Sequence, residues 1–244
     1  MLGFDFSHWN SDTQFRTMSS KADFIFHKIS EGTGFIDEKA LDRLKDYKGL
    51  KGVFHVVIPK KNSDYLIEFT HFCNQIDKVS FYGNVAIALD LENAPSYVPY
   101  GSGADIKIWI CNFVRALKSR YNKPIFVYMG DLYSDDWYKA IEEAGGIIWI
   151  CRYRQEAPKH KCALWQYTDK YEGKVLDADK VMDEKAFLEA FGVKEEKIET
   201  GDDLKNACSV FADYVIKGYF GDGVARKDNI YRLIQEEVNW RLKK

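Results

Sequence analysis

The segment NVAIALDLEN (84–93) ends an apolar run with two carboxylates two residues apart, Asp90 and Glu92. Side chains on a strand alternate faces, so the two acids project the same way. Their positions are about 6.6 Å apart at roughly 3.3 Å of rise per residue. Two acids converging at the end of an interior strand are costly unless something uses them. Carboxyls that share a site raise one another's pKa, so one keeps its proton as an acid while another stays ionised. Glycoside hydrolysis needs that pair: a proton for the leaving oxygen and negative charge beside an oxocarbenium-like carbon. Further acids close other apolar runs, Asp5 in LGFDF and Asp177 in KVLDA, with Asp179 two residues on. A lone strand-end acid more often caps a helix or pairs with a cation. Four at the same end of one barrel point to a site.

Other chemistries find little support. His8, His27, His55, His71 and His160 show no H-E-x-x-H or comparable ligand spacing, so no metal or other cofactor is expected. No G-x-S-x-G elbow and no phosphate-cradling glycine loop occurs. With 35 basic and 37 acidic residues and a net charge of -2, the chain has no electrostatic case for nucleic acid or an anionic membrane. No apolar stretch approaches the roughly 18 residues of a membrane span. The five cysteines form an odd set without C-x-x-C spacing, which predicts free thiols and synthesis in a reducing cytoplasm. The start, MLGFDFSHWN, lacks the basic and apolar regions of a signal peptide.

The acids need a frame. Apolar runs at 2–6, 23–29, 52–58, 85–91, 124–129, 146–153, 162–168 and 174–178 read as strands, and 37–48, 64–79, 104–121 and 135–145 carry helical spacing. Four β-α alternations followed by strands joined through loops predict an α/β, barrel-like sheet of about eight strands with fewer helices. Catalytic groups of such barrels sit at the carboxyl ends of strands, and closure would bring Asp5 beside Asp177. The texture changes near residue 190. Residues 1–191 read as the barrel and 192–201 as a polar linker, with 202–244 as a small all-helical module.

The motifs resemble those of the glycoside hydrolase family 25 lysozymes, the Chalaropsis-type muramidases. GFDFSHWN is similar to the family's opening G-h-D-h-S-x-W-Q/N, where h is hydrophobic. HKISEGTGFID resembles K-x-x-E-G-x-x-h-x-D, FHVVIPKKN resembles Y-H-F-x-x-P-x-x-N, and LDLE resembles the paired-acid motif. PIFVYM, IIWICRY, ALWQYT and VLDADKV follow in family order, so eight motifs span residues 2 to 182. Phe54 stands where the family usually has Tyr, and Cys151 where it has Ala.

The resemblance implies a flattened TIM-like β/α barrel that hydrolyses the β-1,4 bond between N-acetylmuramic acid and N-acetylglucosamine in peptidoglycan. Glu92 would be the general acid. Asp90 would orient or stabilise the reacting sugar, and Asp5 and Asp177 would complete the acidic floor. Whether Asp5 or Asp90 assists the intermediate stays open; net retention is expected. Tyr128, Trp149, Tyr153 and Trp165 would offer ring faces or hydroxyls to sugars, or else pack the barrel. His55 would contact substrate or sit in the core. Glu31 would bind sugar, and Asp37 reads as an N-cap.

ADYVIKGYFGDGVARKDNIYRLIQEEVNWRL is similar to the cell-wall-binding repeat of phage lysins, although it lacks the repeat's G-Y-D-Y turn. That resemblance would expose Tyr219 and Arg226 to muropeptide; a helical appendage or dimerisation element is the alternative. The expected whole is an endolysin made in the cytoplasm without a signal peptide, acting on the bacterial wall after release. Its rivals are another D-x-E glycosidase, glucosaminidase or chitinase-like, and a non-catalytic glycan-binding wall-attachment protein.

Overall fold

In the computed structural model, residues 1–59, 64–80, 84–92 and 103–193 are described. The chain divides into two units, Met1–Lys194 and Glu195–Lys244, and every described residue lies in the first. The helical module, with Tyr219 and Arg226, falls outside the described residues, as does most of the linker. No helix among the described residues is long and apolar enough to cross a membrane.

The chain alternates strands and helices: β1 (Leu2–Phe6), α1 (Asp12–Ser19), β2 (Phe24–Glu31), β3 (Phe35–Ile36), α2 (Ala40–Asp46), β4 (Leu50–Val56), α3 (Tyr65–Ser80), β5 (Ala86–Asp90) and α4 (Gly103–Tyr121). β6 (Ile125–Gly130), α5 (Asp135–Glu143), β7 (Gly146–Cys151), β8 (Leu164–Thr168), β9 (Asp177–Val181) and α6 (Glu184–Ala190) complete it. The sheet order is β1-β9-β8-β7-β6-β5-β4-β2, and β1 also pairs with β2, so eight strands close into a barrel. The short β3 adds to the β2 edge as an antiparallel hairpin. This is the expected flattened β/α barrel. Helices follow the early strands, while the step from β7 to β8 is a loop.

Besides β3 and α6, which were also not predicted, two elements depart from the sequence reading. α1 was not predicted, because only Phe15 and Met18 of its eight residues are buried. Its start is nevertheless written in the chain, since the Ser11 hydroxyl accepts from the Gln14 amide as an N-cap. The last strand is β9 at 177–181, not 174–178, and it runs antiparallel to both neighbours. Asp177 therefore begins its strand instead of ending it. Reversal puts the amino end of β9 at the same mouth as the carboxyl ends of the parallel strands. Asp5 and Asp177 are direct register partners.

Period-two alternation fills the barrel in layers. Toward the amino end of the parallel strands lie Phe24, Phe26, Phe54, Ala86, Ala88 and Phe126, and Phe187 of α6 and Phe191 just past it plug this end. One pleat further on, β2, β5 and β6 present Lys28, Asp90 and Tyr128, and β8 presents Gln166 after Leu164. One end of the barrel is aromatic and the other is polar and acidic. The aromatic layer is tight: a Cβ added to Gly52 would lie 2.3 Å from the buried Phe26 ring. Gly52→Ala is expected to cost about 1–3 kcal/mol through overpacking, read as a lower urea midpoint; an unchanged midpoint would contradict this packing.

Candidate active site

A cavity of about 350 Å³ opens at the acidic end. Asp5, Glu31, Asp90, Glu92 and Asp177 line it, and Lys28 is the one cation among its described lining residues. β5 is hydrogen-bonded on both sides, with Asp90 in register with Val56 of β4 and Tyr128 of β6. Asp90 is thereby fixed within the wall and 7% exposed. Its Oδ1 is buried without a hydrogen-bond partner among the described residues. Glu92, just past the strand, reaches the rim and is exposed.

Gln166 organises the floor. Its carbonyl oxygen accepts from the hydroxyls of Tyr128 and Tyr153, each at 2.8 Å, and its amide nitrogen donates to Asp5 Oδ2 at 2.9 Å. Two phenols on the oxygen leave only the NH₂ for the acid, so the amide has one sensible orientation. Beneath it, fully buried Asp179 accepts from the Trp149 indole at 2.8 Å, and its other carboxyl oxygen is buried without a hydrogen-bond partner among the described residues.

Every carboxyl of the group that titrates abnormally moves upward. Asp5 stands well above the ordinary value, chiefly because burial disfavours its charge and secondarily through the charge of Asp179. Asp90 is raised well above it too, by desolvation first and then by Glu92 and Asp5, with Lys28 opposing. Glu92 is raised mainly by desolvation, which Lys28 opposes and Glu31 reinforces. Although exposed in area, it faces a cleft walled by acids. Asp177 and Asp179 are both pushed up to about 8, again chiefly by burial. Such a cluster keeps protons at neutral pH.

Lys28 forms an ion pair with Glu31 and lies 5.1 Å from the centre of the Phe35 ring. The loop after β1 brings Trp9, 84% exposed, to the lip of the cavity. Buried Arg43 clamps that loop through the carbonyls of Ser7 (3.0 Å) and Asn10 (2.8 Å) and the carboxylate of Asp12 (2.7 Å). His27 sits behind it, with its Nδ1 2.7 Å from the Lys28 carbonyl and its Nε2 3.2 Å from Arg43. Burial lowers the His27 pKa to about 4, so the ring is neutral and its Nε2 accepts from the guanidinium.

Asp5, Asp90, Glu92, Asp177, Glu31, Tyr128, Trp149 and Tyr153 are brought together around this cavity. Two expected residues are not. His55 points outward from β4, fully buried, between Ser30 (2.8 Å) and Glu68 (3.1 Å), and stacks on Phe72. Pleat alternation gives the cavity to Phe54 and Val56 instead, so His55 takes the core position. Trp165 likewise faces away, its indole donating to the Arg152 carbonyl at 2.8 Å. Asp37 caps no helix with its side chain; its carboxylate accepts from the His8 and Lys39 amides. Gln166 and Lys28 were overlooked as site residues. Their inward phase relative to Leu164 and Phe26 was available from period two alone. Among the described residues no group of three or more His, Cys, Asp or Glu is arranged to hold a metal ion.

A family model described as glycosyl hydrolases family 25 matches residues 4–175. Among solved structures, the catalytic domain of endolysin ply40 from bacteriophage P40 of Listeria monocytogenes is 18% identical, with a TM-score of 0.62 over 79% of this chain and 97% of that one. A bacterial lysozyme from Streptomyces coelicolor is 19% identical, with a TM-score of 0.60 over 80% and 98%. A family 25 glycosyl hydrolase from Bacillus anthracis is 21% identical, with a TM-score of 0.59 over 77% and 91%. At these identities the likeness establishes the fold. No curated protein matches the chain by sequence.

The raised carboxyls tie stability to pH. Below 3.8 both folded and unfolded chains hold the Asp179 proton; between 3.8 and about 8 only the folded chain keeps it. Stability therefore falls as pH climbs through that window. Asp179→Asn preserves the acceptor for Trp149 while removing this titration. Thermal melts at pH 5 and pH 8 are expected to show a smaller loss for the variant than for the native chain. Equal losses would exclude Asp179 as a proton-retaining group.

Proposed function

This chain belongs to the glycosyl hydrolases of family 25, and on that premise we propose that it is an endolysin-type N-acetylmuramidase. It would cleave the β-1,4 bond between N-acetylmuramic acid and N-acetylglucosamine in peptidoglycan. One observation carries the assignment of roles: Glu92 sits at the open rim two residues beyond Asp90, which is buried in the wall of the same acidic mouth.

Glu92 is the general acid. Desolvation favours its protonated form, and its place at the rim lets it reach the oxygen between two sugars. Proton transfer to that oxygen lets the bond to the anomeric carbon break, with the bonding electrons leaving on oxygen. Asp90 accepts the N–H of the substrate's own acetamido group. The carbonyl oxygen of that group then bonds to the anomeric carbon as it turns oxocarbenium-like. Water, giving its proton to the Glu92 carboxylate, opens this intermediate and restores the acid, with net retention. Asp5 and Asp177 form the acidic floor, and Tyr128 and Tyr153 hold it in place through Gln166.

The four described cysteines carry free thiols. This supports synthesis in a reducing cytoplasm, with action on the wall after release. Residues 202–244, by their resemblance to lysin repeats, would hold the enzyme on the polymer.

The test is the identity of the new reducing end. Peptidoglycan digested with the protein, reduced with borohydride and analysed by mass spectrometry is expected to yield reduced muramic acid. Reduced glucosamine would make the enzyme a glucosaminidase, and no fragments from folded protein would leave a binding role. Glu92→Gln is expected to lower kcat by about 10²–10⁴-fold with binding retained. Full activity in that variant would remove Glu92 as the acid.

A further inference from the structure

A second concavity lies on the outer wall of the barrel, where β8 and β9 are exposed. It is a shallow groove of about 520 Å³. Its floor follows from strand alternation. With Gln166 and Asp179 facing inward, Trp165 and Tyr167 of β8 and Lys180 of β9 face out. Trp165 and Lys180 are direct register partners, and the Lys180 ammonium lies 4.2 Å from the Tyr167 ring centre and 5.4 Å from that of Trp165.

The charge of this groove is the reverse of the cleft's. Arg154, Lys170 and Lys180 line it, all exposed, and none is ion-paired to a carboxylate among the described residues. The acid among the lining residues, Glu172, is held by Lys21 at 3.0 Å. Tyr153 lines both the groove and the acidic cavity, so the two adjoin at that residue. An acidic cleft suits a glycan with its neutral hydroxyls and acetamido groups. A cationic groove with an aromatic floor suits carboxylates interspersed with small apolar side chains.

We propose that this groove binds the acidic peptide stem attached to the muramic acid whose glycosidic bond is cleaved next door. The proposal rests on the peptidoglycan reading above and adds a substrate-recognition site to it. The stem is covalently bound to the sugar in the cleft, so it emerges beside Tyr153. Its carboxylates meet Lys180, Lys170 and Arg154, and its alanine methyls lie along Tyr167 and Tyr171. Anionic wall phosphate polymers are the rival occupant of the groove.

The full chain is titrated with the N-acetylated stem tetrapeptide alanyl-γ-glutamyl-lysyl-alanine, which carries two carboxylates against one ammonium, following tryptophan fluorescence and amide NMR shifts. The native chain is expected to bind and the Arg154→Gln/Lys170→Gln/Lys180→Gln variant is not. Absence of binding by the native chain overturns the groove assignment whatever the enzyme cleaves. In hydrolysis assays the same variant is expected to raise KM about tenfold on peptide-bearing glycan, as three partly exposed charge contacts are lost. Its kcat, and its KM on glycan stripped of peptide, remain unchanged. An equal loss on both substrates overturns the proposal, as does displacement of the stem peptide's role by a glycerol phosphate polymer that alone competes for the groove. Inactivity of the native chain on both substrates defeats the muramidase reading, whereas peptide binding tests the groove separately.

Discussion

Closing the sheet with an antiparallel strand concentrates acid at one end of the barrel. Asp5 ends β1, Asp177 begins β9, and the register of the seam sets them opposite each other. Asp90 and Glu92 arrive from across the mouth, and Asp179 lies one pleat below. Five carboxyls line the cleft with a single lysine among the described residues. Full ionisation of such a group in a partly desolvated site costs more than solvent or one ammonium can return, so protons stay. The surrounding polar architecture answers this constraint: the Gln166 hub, the Trp149 indole on Asp179, and the placement of Lys28 beside Asp90 and Glu92.

Stability and chemistry occupy opposite ends of the same strands. The amino-end layer is aromatic, interlocked and plugged by α6, with Phe24 and Phe187 ring centres 4.7 Å apart. That apolar burial offsets the energetic strain of the acidic layer above it. The loop bearing Trp9 depends on the same economy, since buried Arg43 satisfies its carbonyls from beneath and a neutral His27 completes the guanidinium's hydrogen bonding. A charged His27 there would face the guanidinium as a like charge.

The barrel and much of the site were legible because period two carries both phase and burial. Asp90 and Glu92 follow directly from an apolar run of known length, and Asp5 from another. The phase of β8 was equally available, but Gln166 is neutral and drew no notice beside the carboxylates. The direction of β9 was not legible: KVLDADKV contains two acids and no long apolar run, so its bounds slipped by three residues. His55 shows the limit of motif reading, because a histidine flanked by apolar residues has the same local pattern whether it faces cavity or helix. Only the pairing of Ser30 and Glu68 with its two nitrogens, set by distant parts of the chain, fixes its face.

The central claim is that the acidic mouth retains protons at neutral pH and that Glu92 holds one of them for the glycosidic oxygen. Carboxyl carbon-13 NMR on protein labelled at Asp and Glu measures this directly. Several carboxyl signals are expected to titrate well above the usual range, some near pH 8, and one raised signal should vanish in Glu92→Gln. If every carboxyl of the native chain titrates below about pH 5, as unperturbed carboxyls do, the mouth is fully ionised at neutral pH and the mechanism is wrong.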